Sequence, residues 1–228
     1  MAIAFDAASG GTRFASTGTS HSWSHTFSGT DRFASVQVGS YRATGGGDVV
    51  TGVTIDGVSC TLDNKDDVQP NTHYYNFYLV APSSGTVTIE VSYASTNYVW
   101  ATCASYTGVD QSSPIDSSGI DSSGANTRNS ITSTTTVVAS DCWLIGGMFA
   151  NAGGVSAGTG TIVRTTSPTD ARLASVDSNG TVPTGSQSLN VTCTNNPTSW
   201  GVISIKPAGG GGGPTANNSA RRLLLMDM

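Results

Sequence analysis

The chain has 228 residues, and Ser (32), Thr (31) and Gly (28) are its most frequent residue types. Only 11% of the residues are charged, against about 25% in an average globular domain. Glu and Lys are good helix formers, yet the chain contains one Glu and two Lys. This composition excludes a mainly helical protein.

The formal net charge of −5 argues against nucleic-acid binding, because phosphate neutralisation requires clustered Lys and Arg. No stretch approaches the roughly 18 apolar residues of a membrane-spanning helix, so we expect no membrane insertion. The N-terminus lacks the basic and apolar regions of a secretory signal, which predicts folding in a cytoplasm. The four cysteines show no CxxC spacing and are interpreted as reduced, buried thiols, with two disulfides as the alternative.

Alternating apolar and polar residues, separated by turn residues, predict about a dozen short strands in residues 1–207. An Asp56-Gly57 pair marks a tight hairpin, and a loop is predicted from Gly108 to about Arg128. The other predicted strands are Ser20–Phe27, Arg32–Arg42, Tyr74–Val80, Thr86–Tyr93, Tyr98–Tyr106, Ile131–Val138, Cys142–Ala150, Thr161–Thr165, Leu173–Val176, Leu189–Thr194 and Trp200–Lys206. The pattern predicts an all-β fold, an antiparallel two-sheet sandwich of jelly-roll type.

Composition changes after residue 207, so we predict a sandwich domain over residues 1–207 and a linker with a tail over residues 208–228. Gly209–Gly213 is typical of a flexible linker. The tail is either a frayed terminus or an apolar peptide that docks on a neighbouring subunit. Exposed leucines would promote association, which favours docking. The predicted docking residues are Arg221, Arg222, Leu223, Leu224, Leu225 and Met226.

Three patterns could indicate catalysis, and each has a simpler structural interpretation. Gly154–Gly158 matches the GxSxG nucleophile motif, but the following residues are predicted to form a strand instead of the required helix. Glu90 is the only Glu and has no evident carboxylate partner for glycoside hydrolysis. His21 and His25 lie on one strand face, too far apart to bind one metal together. We therefore predict no enzyme activity, no cofactor and no metal.

Four segments together resemble a β-sandwich domain of tailed-phage virion proteins, including decoration proteins, and of bacterial surface adhesins. These segments are Trp23–Thr26, Tyr78–Thr88, Tyr106–Asp116 and Ile203–Pro207. Residues 219–225 also resemble an ending found on phage structural proteins. The resemblance implies a structural role without catalytic residues.

The leading hypothesis is a phage virion structural protein, a capsid decoration or surface-appendage protein that forms a homo-oligomer and contacts other virion proteins. The alternative is an extracellular carbohydrate-binding adhesin module of a tail fibre or secreted bacterial protein. In that case Tyr74, Tyr75 or Trp100 is expected to stack on a ring of a surface glycan.

Overall fold

The computed structural model describes residues 1–10, 18–41, 49–66, 72–94, 98–122, 128–168, 170–196 and 198–209. The regular structure in these residues consists of β-strands, and their pairings are antiparallel. Within the same residues, no helix is long and apolar enough to cross a membrane. The prediction of an all-β antiparallel sandwich is confirmed.

The first half of the chain, residues 1–109, forms two sheets. Its strands are β1 (Ala4–Gly10), β2 (Ser20–Phe27), β3 (Phe33–Tyr41), β4 (Val50–Ile55), β5 (Val58–Ser59), β6 (Thr61–Asp66), β7 (Thr72–Val80), β8 (Gly85–Tyr93) and β9 (Tyr98–Thr107). Inner sheet 1 has the strand order β1-β9-β3-β7-β6, and outer sheet 1 has the order β2-β8-β4-β5.

The second half, residues 110–209, also forms two sheets. Its strands are β10 (Ile115–Ser122), β11 (Arg128–Val137), β12 (Trp143–Ala150), β13 (Ser156–Ala157), β14 (Ile162–Thr166), β15 (Leu173–Asp177), β16 (Gly185–Asn196) and β17 (Thr198–Ile205). Inner sheet 2 has the strand order β10-β17-β12-β15-β14, and outer sheet 2 has the order β11-β16-β13.

The two halves share one topology. In each half the first strand pairs with the last, and the second strand pairs with the last but one. This nested order is that of a jelly roll. The chain therefore contains a tandem duplication of the fold, and the unit predicted for residues 1–207 consists of two jelly-roll sandwiches.

The two sandwiches pack through their inner sheets, which gives four layers in the order outer, inner, inner, outer. One apolar core fills each sandwich, and two further clusters lie between the inner sheets. Phe33, Tyr106, Trp143 and Ile203 belong to the larger of these clusters. Because both faces of the inner sheets are covered, strands such as β3, β12 and β17 are buried at nearly every residue.

Contacts between the halves come in equivalent pairs. Strand β3 lies against its counterpart β12. The contact of β7 with β17 is matched by that of β15 with β9, and the contact of β6 with β10 is matched by that of β14 with β1. Such reciprocity defines an isologous interface with an internal two-fold relation, as in a symmetric homodimer.

Glycines allow the inner sheets to approach closely. A Cβ added at Gly39 would lie 2.6 Å from the Cγ atom of Phe149, and one at Gly147 would lie 2.5 Å from the Cγ atom of Gln37. Gly39 is the counterpart of Phe149, and Gln37 is the counterpart of Gly147, in the strand registers of β3 and β12. Residues at the internal two-fold axis thus pair a small side chain with a large one.

Four strands of the structure are not predicted from the sequence: β1, β6, β10 and β13. The predicted loop from Gly108 to Arg128 contains strand β10, because this Ser-rich segment pairs with the edge of β17. The polar composition of the run that begins at Asp63 predicts a turn, but the run continues as edge strand β6 to Asp66, beside β7. The predicted Asp56-Gly57 hairpin is present, with positive φ angles of 52° and 76°.

Candidate functional site

The most connected polar cluster of the first half joins β1, β2 and β9. Asp6 Oδ2 accepts hydrogen bonds from the Ser28 backbone N–H at 3.0 Å and from Ser105 Oγ at 2.9 Å. Ser105 Oγ also lies 3.0 Å from His25 Nε2, and His25 Nδ1 lies 2.7 Å from Ser9 Oγ. The result is a continuous chain of carboxylate, hydroxyl, imidazole and hydroxyl groups.

His25 is 3% exposed, and Trp23 Nε1 donates to Ser9 Oγ at 2.9 Å beside it. Burial lowers the pKa of His25 to about 4, against a smaller opposing effect of the Asp6 carboxylate. The imidazole is therefore neutral at pH 7. The ring is almost fully buried, and its two nitrogens connect β1 and β9 through Ser9 and Ser105, which is a structural role.

The second half contains an equivalent of the aspartate in this cluster. Strands β1 and β10 each bulge at an aspartate, Asp6 and Asp116 respectively. Asp116 accepts from the Val138 and Ala139 backbone N–H groups at 2.7 and 3.1 Å, and from Ser204 Oγ at 3.4 Å. The aspartate at the bulge is thus a structural element of both jelly rolls, whereas the histidine belongs to the first half alone.

The residues expected to stack on a glycan are buried. Tyr74, Tyr75 and Trp100 are at most 1% exposed. Tyr75 lies in the core of the first sandwich, and Tyr74 and Trp100 lie between the inner sheets. Trp100 Nε1 donates to Asp170 of the second half at 3.1 Å. The glycan hypothesis therefore needs correction at these residues: Tyr75 points into the core of its own sandwich, and the second half covers the inner-sheet face that carries Tyr74 and Trp100.

The other sequence motifs lie on the two outer sheets. Ser156, the central serine of the GxSxG motif, is exposed on β13, and its Oγ atom lies 2.8 Å from Thr192 Oγ1. Glu90 is exposed on β8, opposite Ser22 of β2. The described part of the chain contains no group of three or more His, Cys, Asp or Glu residues arranged to hold a metal ion.

The outer sheets carry equivalent rows of hydroxyl groups on their solvent faces. In outer sheet 1 the pairs Ser24–Thr88 and Thr26–Thr86 lie opposite each other. In outer sheet 2 the corresponding pairs are Thr134–Ser188 and Thr136–Ser186. The strict alternation of β2, β8 and β11 predicts these faces correctly, since only one side of an outer strand packs on a core.

A shallow groove with a volume of about 350 Å³ lies where the two ends of the described chain meet. Met1 and Ala2 form one side, Asp141 and Thr181 form the other, and residues 207–209 complete it. The N-terminal amine of Met1 donates to the Ala208 carbonyl, and the Ala208 N–H donates to the Gly108 carbonyl at 2.7 Å. No sequence pattern indicated this groove, because its parts are distant along the chain.

The predicted docking residues Arg221, Arg222, Leu223, Leu224, Leu225 and Met226 lie outside the described residues. The four cysteines are free thiols; Cys103, Cys142 and Cys193 are buried and Cys60 is partly buried, in agreement with their interpretation as small apolar residues. Comparison of the chain with protein-family models, curated proteins and solved structures finds no match.

Proposed function

We propose that the protein is a non-enzymatic structural component of a phage-like virion, a capsid decoration or surface-appendage protein. In this role it assembles as a homo-oligomer, contacts other virion proteins and folds in the host cytoplasm before assembly. The observation that carries the proposal is the solid four-layer body. Its polar cluster around His25 is buried, and the two-fold related outer sheets present hydroxyl-bearing surfaces at opposite sides of the molecule.

Two physical properties of this body support a structural role. The inner sheets are buried on both faces, so the two halves are coupled through a large shared core instead of a flexible hinge. The buried carboxylate of Asp177 is bound by Arg164 Nε at 2.6 Å and by the Tyr106 hydroxyl at 3.1 Å, and this bond to Tyr106 crosses between the halves. Close-packed interiors of this kind have low compressibility.

Density-gradient sedimentation of virus-like particles, prepared from cells that produce this chain, tests the proposal. The chain should band with intact particles and remain bound after a salt wash. Recovery of the chain only in the soluble fraction, with none in the particle band, would refute the proposal.

A carbohydrate-binding adhesin is the second candidate, favoured by the hydroxyl rows of the outer sheets. These groups can donate and accept hydrogen bonds with sugar hydroxyls. A glycan array separates the candidates, because an adhesin binds a defined glycan saturably. Thr134→Lys on outer sheet 2 and Thr88→Lys on outer sheet 1 should then reduce binding, each at its own face, and an unchanged signal from both variants would exclude the hydroxyl rows as the binding surface.

A further inference from the structure

The groove between Met1, Asp141 and Ala208 has a counterpart in the other half of the molecule. By strand register, Met1 corresponds to Gln111, Asp141 to Asp31 and Ala208 to Val109. At the counterpart position the Gln111 side chain donates to the carbonyls of Val109 at 2.7 Å and Arg32 at 3.3 Å. The two equivalent ends therefore bind the equivalent carbonyl through different groups, the Gln111 side chain at one end and the main-chain amine of Met1 at the other.

The groove combines an apolar lining with one carboxylate, Asp141, and with the N-terminal ammonium group of Met1, which is bound to the Ala208 carbonyl. Met1, Ala2, Pro207 and Ala208 supply the apolar surface, and Met1 is 71% exposed. Asp141 is exposed at the rim, in a turn where its φ angle is 59°. A ligand that matches this surface carries a basic group next to short apolar side chains.

The chain itself contains such a segment, because Arg221 and Arg222 directly precede Leu223–Leu225. We propose that the groove binds the segment Arg221–Met226 of a neighbouring copy of this chain. The leucines occupy the apolar surface, and an arginine pairs with Asp141. This inference rests on the proposed structural function and names the contact through which copies assemble.

The length of the connection sets how far the segment can reach from the groove of its own copy. Gly209 forms part of the groove wall, so residues 210–220 separate one groove from the segment that enters the next. A Gly-rich linker of this length spans roughly 17–20 Å root mean square. A contact in which each copy donates a segment to the next is heterologous, and it generates closed rings or extended filaments.

Sedimentation equilibrium over a wide concentration range tests the contact with single substitutions in the full chain. Leu224→Asp should weaken association at least about tenfold, because it removes a buried leucine. Asp141→Asn should weaken it about two- to fivefold, the range of an exposed ion pair. Asn keeps the turn because it tolerates positive φ. Asp31→Asn is the matched control, since Asp31 occupies the equivalent turn with a φ angle of 50°, and it should leave association unchanged.

A complementation experiment establishes which copy donates the segment. One variant carries Ala2→Arg, which places a cation in the groove but retains the segment; the other carries Leu224→Asp and retains the groove. Each variant alone should be monomeric, and their mixture should form a one-to-one dimer. A mixture that stays monomeric, or a full chain that is monomeric at all concentrations, overturns the inference. Particle association of the same chains is measured separately, so the proposed virion role can fail or survive independently.

Discussion

Substitution of Gly39 by Ala measures the packing between the two jelly rolls. The new Cβ would lie 2.6 Å from the Cγ atom of Phe149, whose ring is fully buried against Trp100 and Leu173. All three nearest atoms belong to the Phe149 side chain, so the ring must shift. Overpacking of this kind lowers the free energy of unfolding by about 1–3 kcal/mol.

Phe149→Ala removes the obstacle and supplies the second arm of a double-mutant cycle. Alone it should cost about 3–5 kcal/mol, because it leaves a cavity between the inner sheets. In the Phe149→Ala background, Gly39→Ala should cost nothing or add a few tenths of a kcal/mol, since glycine is unfavourable within a strand. The two single changes should therefore be coupled by about 1–3 kcal/mol.

Urea unfolding followed by tryptophan fluorescence and circular dichroism provides the free energies. Gly52→Ala is the matched control, because Gly52 is also in a strand but no atom lies within 4 Å of its added Cβ. This variant should equal or exceed the wild type in stability. Additive effects of Gly39→Ala and Phe149→Ala, or a neutral Gly39→Ala, would show that these two strands are not in contact.

Four further substitutions test individual groups. Burial raises the pKa of Asp63 to about 6, so the protonated carboxyl contributes to stability below pH 4, and this contribution is lost as the pH rises through 6. Asp63→Asn should therefore raise the free energy of unfolding at pH 7.5 by about 1 kcal/mol, a value discounted for partial exposure. A steeper dependence of stability on pH in the variant than in the wild type would contradict this. For His25 the sign is opposite, because its lowered pKa provides stability above pH 6.5 that is lost as the pH falls towards 4. His25→Gln should remove about 3 kcal/mol of this pH dependence when unfolding midpoints are measured over a range of pH. An unchanged dependence of the midpoint on pH would refute it. Asp6→Ala and Asp116→Ala should each lower the free energy of unfolding in urea by about 2–3 kcal/mol, since both remove charge-assisted hydrogen bonds at equivalent bulges. A variant of unchanged stability at either site would argue against the equivalence of the two bulges.

The outer sheets could be predicted from the sequence, whereas the inner sheets could be predicted only as strands. Apolar and polar residues alternate in β2 and β8, which indicates that one face of each strand is covered and the other is exposed. The exposed rows of hydroxyl groups follow directly from this alternation. Tyr74 and Trp100 also alternate with other residues, but their second face is covered by the other half of the molecule. A pattern within one strand contains no information about a distant sheet, so their burial could not be inferred.

The duplication was not evident because equivalent positions hold different residues. Gly39 corresponds to Phe149, and Gln37 to Gly147, since opposite sides of a tight interface need complementary volumes. The features shared by both halves are sparse, such as the bulges at Asp6 and Asp116. Three-dimensional register makes them comparable, although the chain between β3 and β7 is longer than the equivalent chain between β12 and β15.

The central claim is that the two jelly rolls form one body through equivalent inner faces, and differential scanning calorimetry of the intact chain tests it most directly. The account predicts a single transition whose calorimetric and van't Hoff enthalpies agree, because the inner-sheet clusters couple the halves. Two separate transitions, each with the enthalpy of about half the chain, would contradict it.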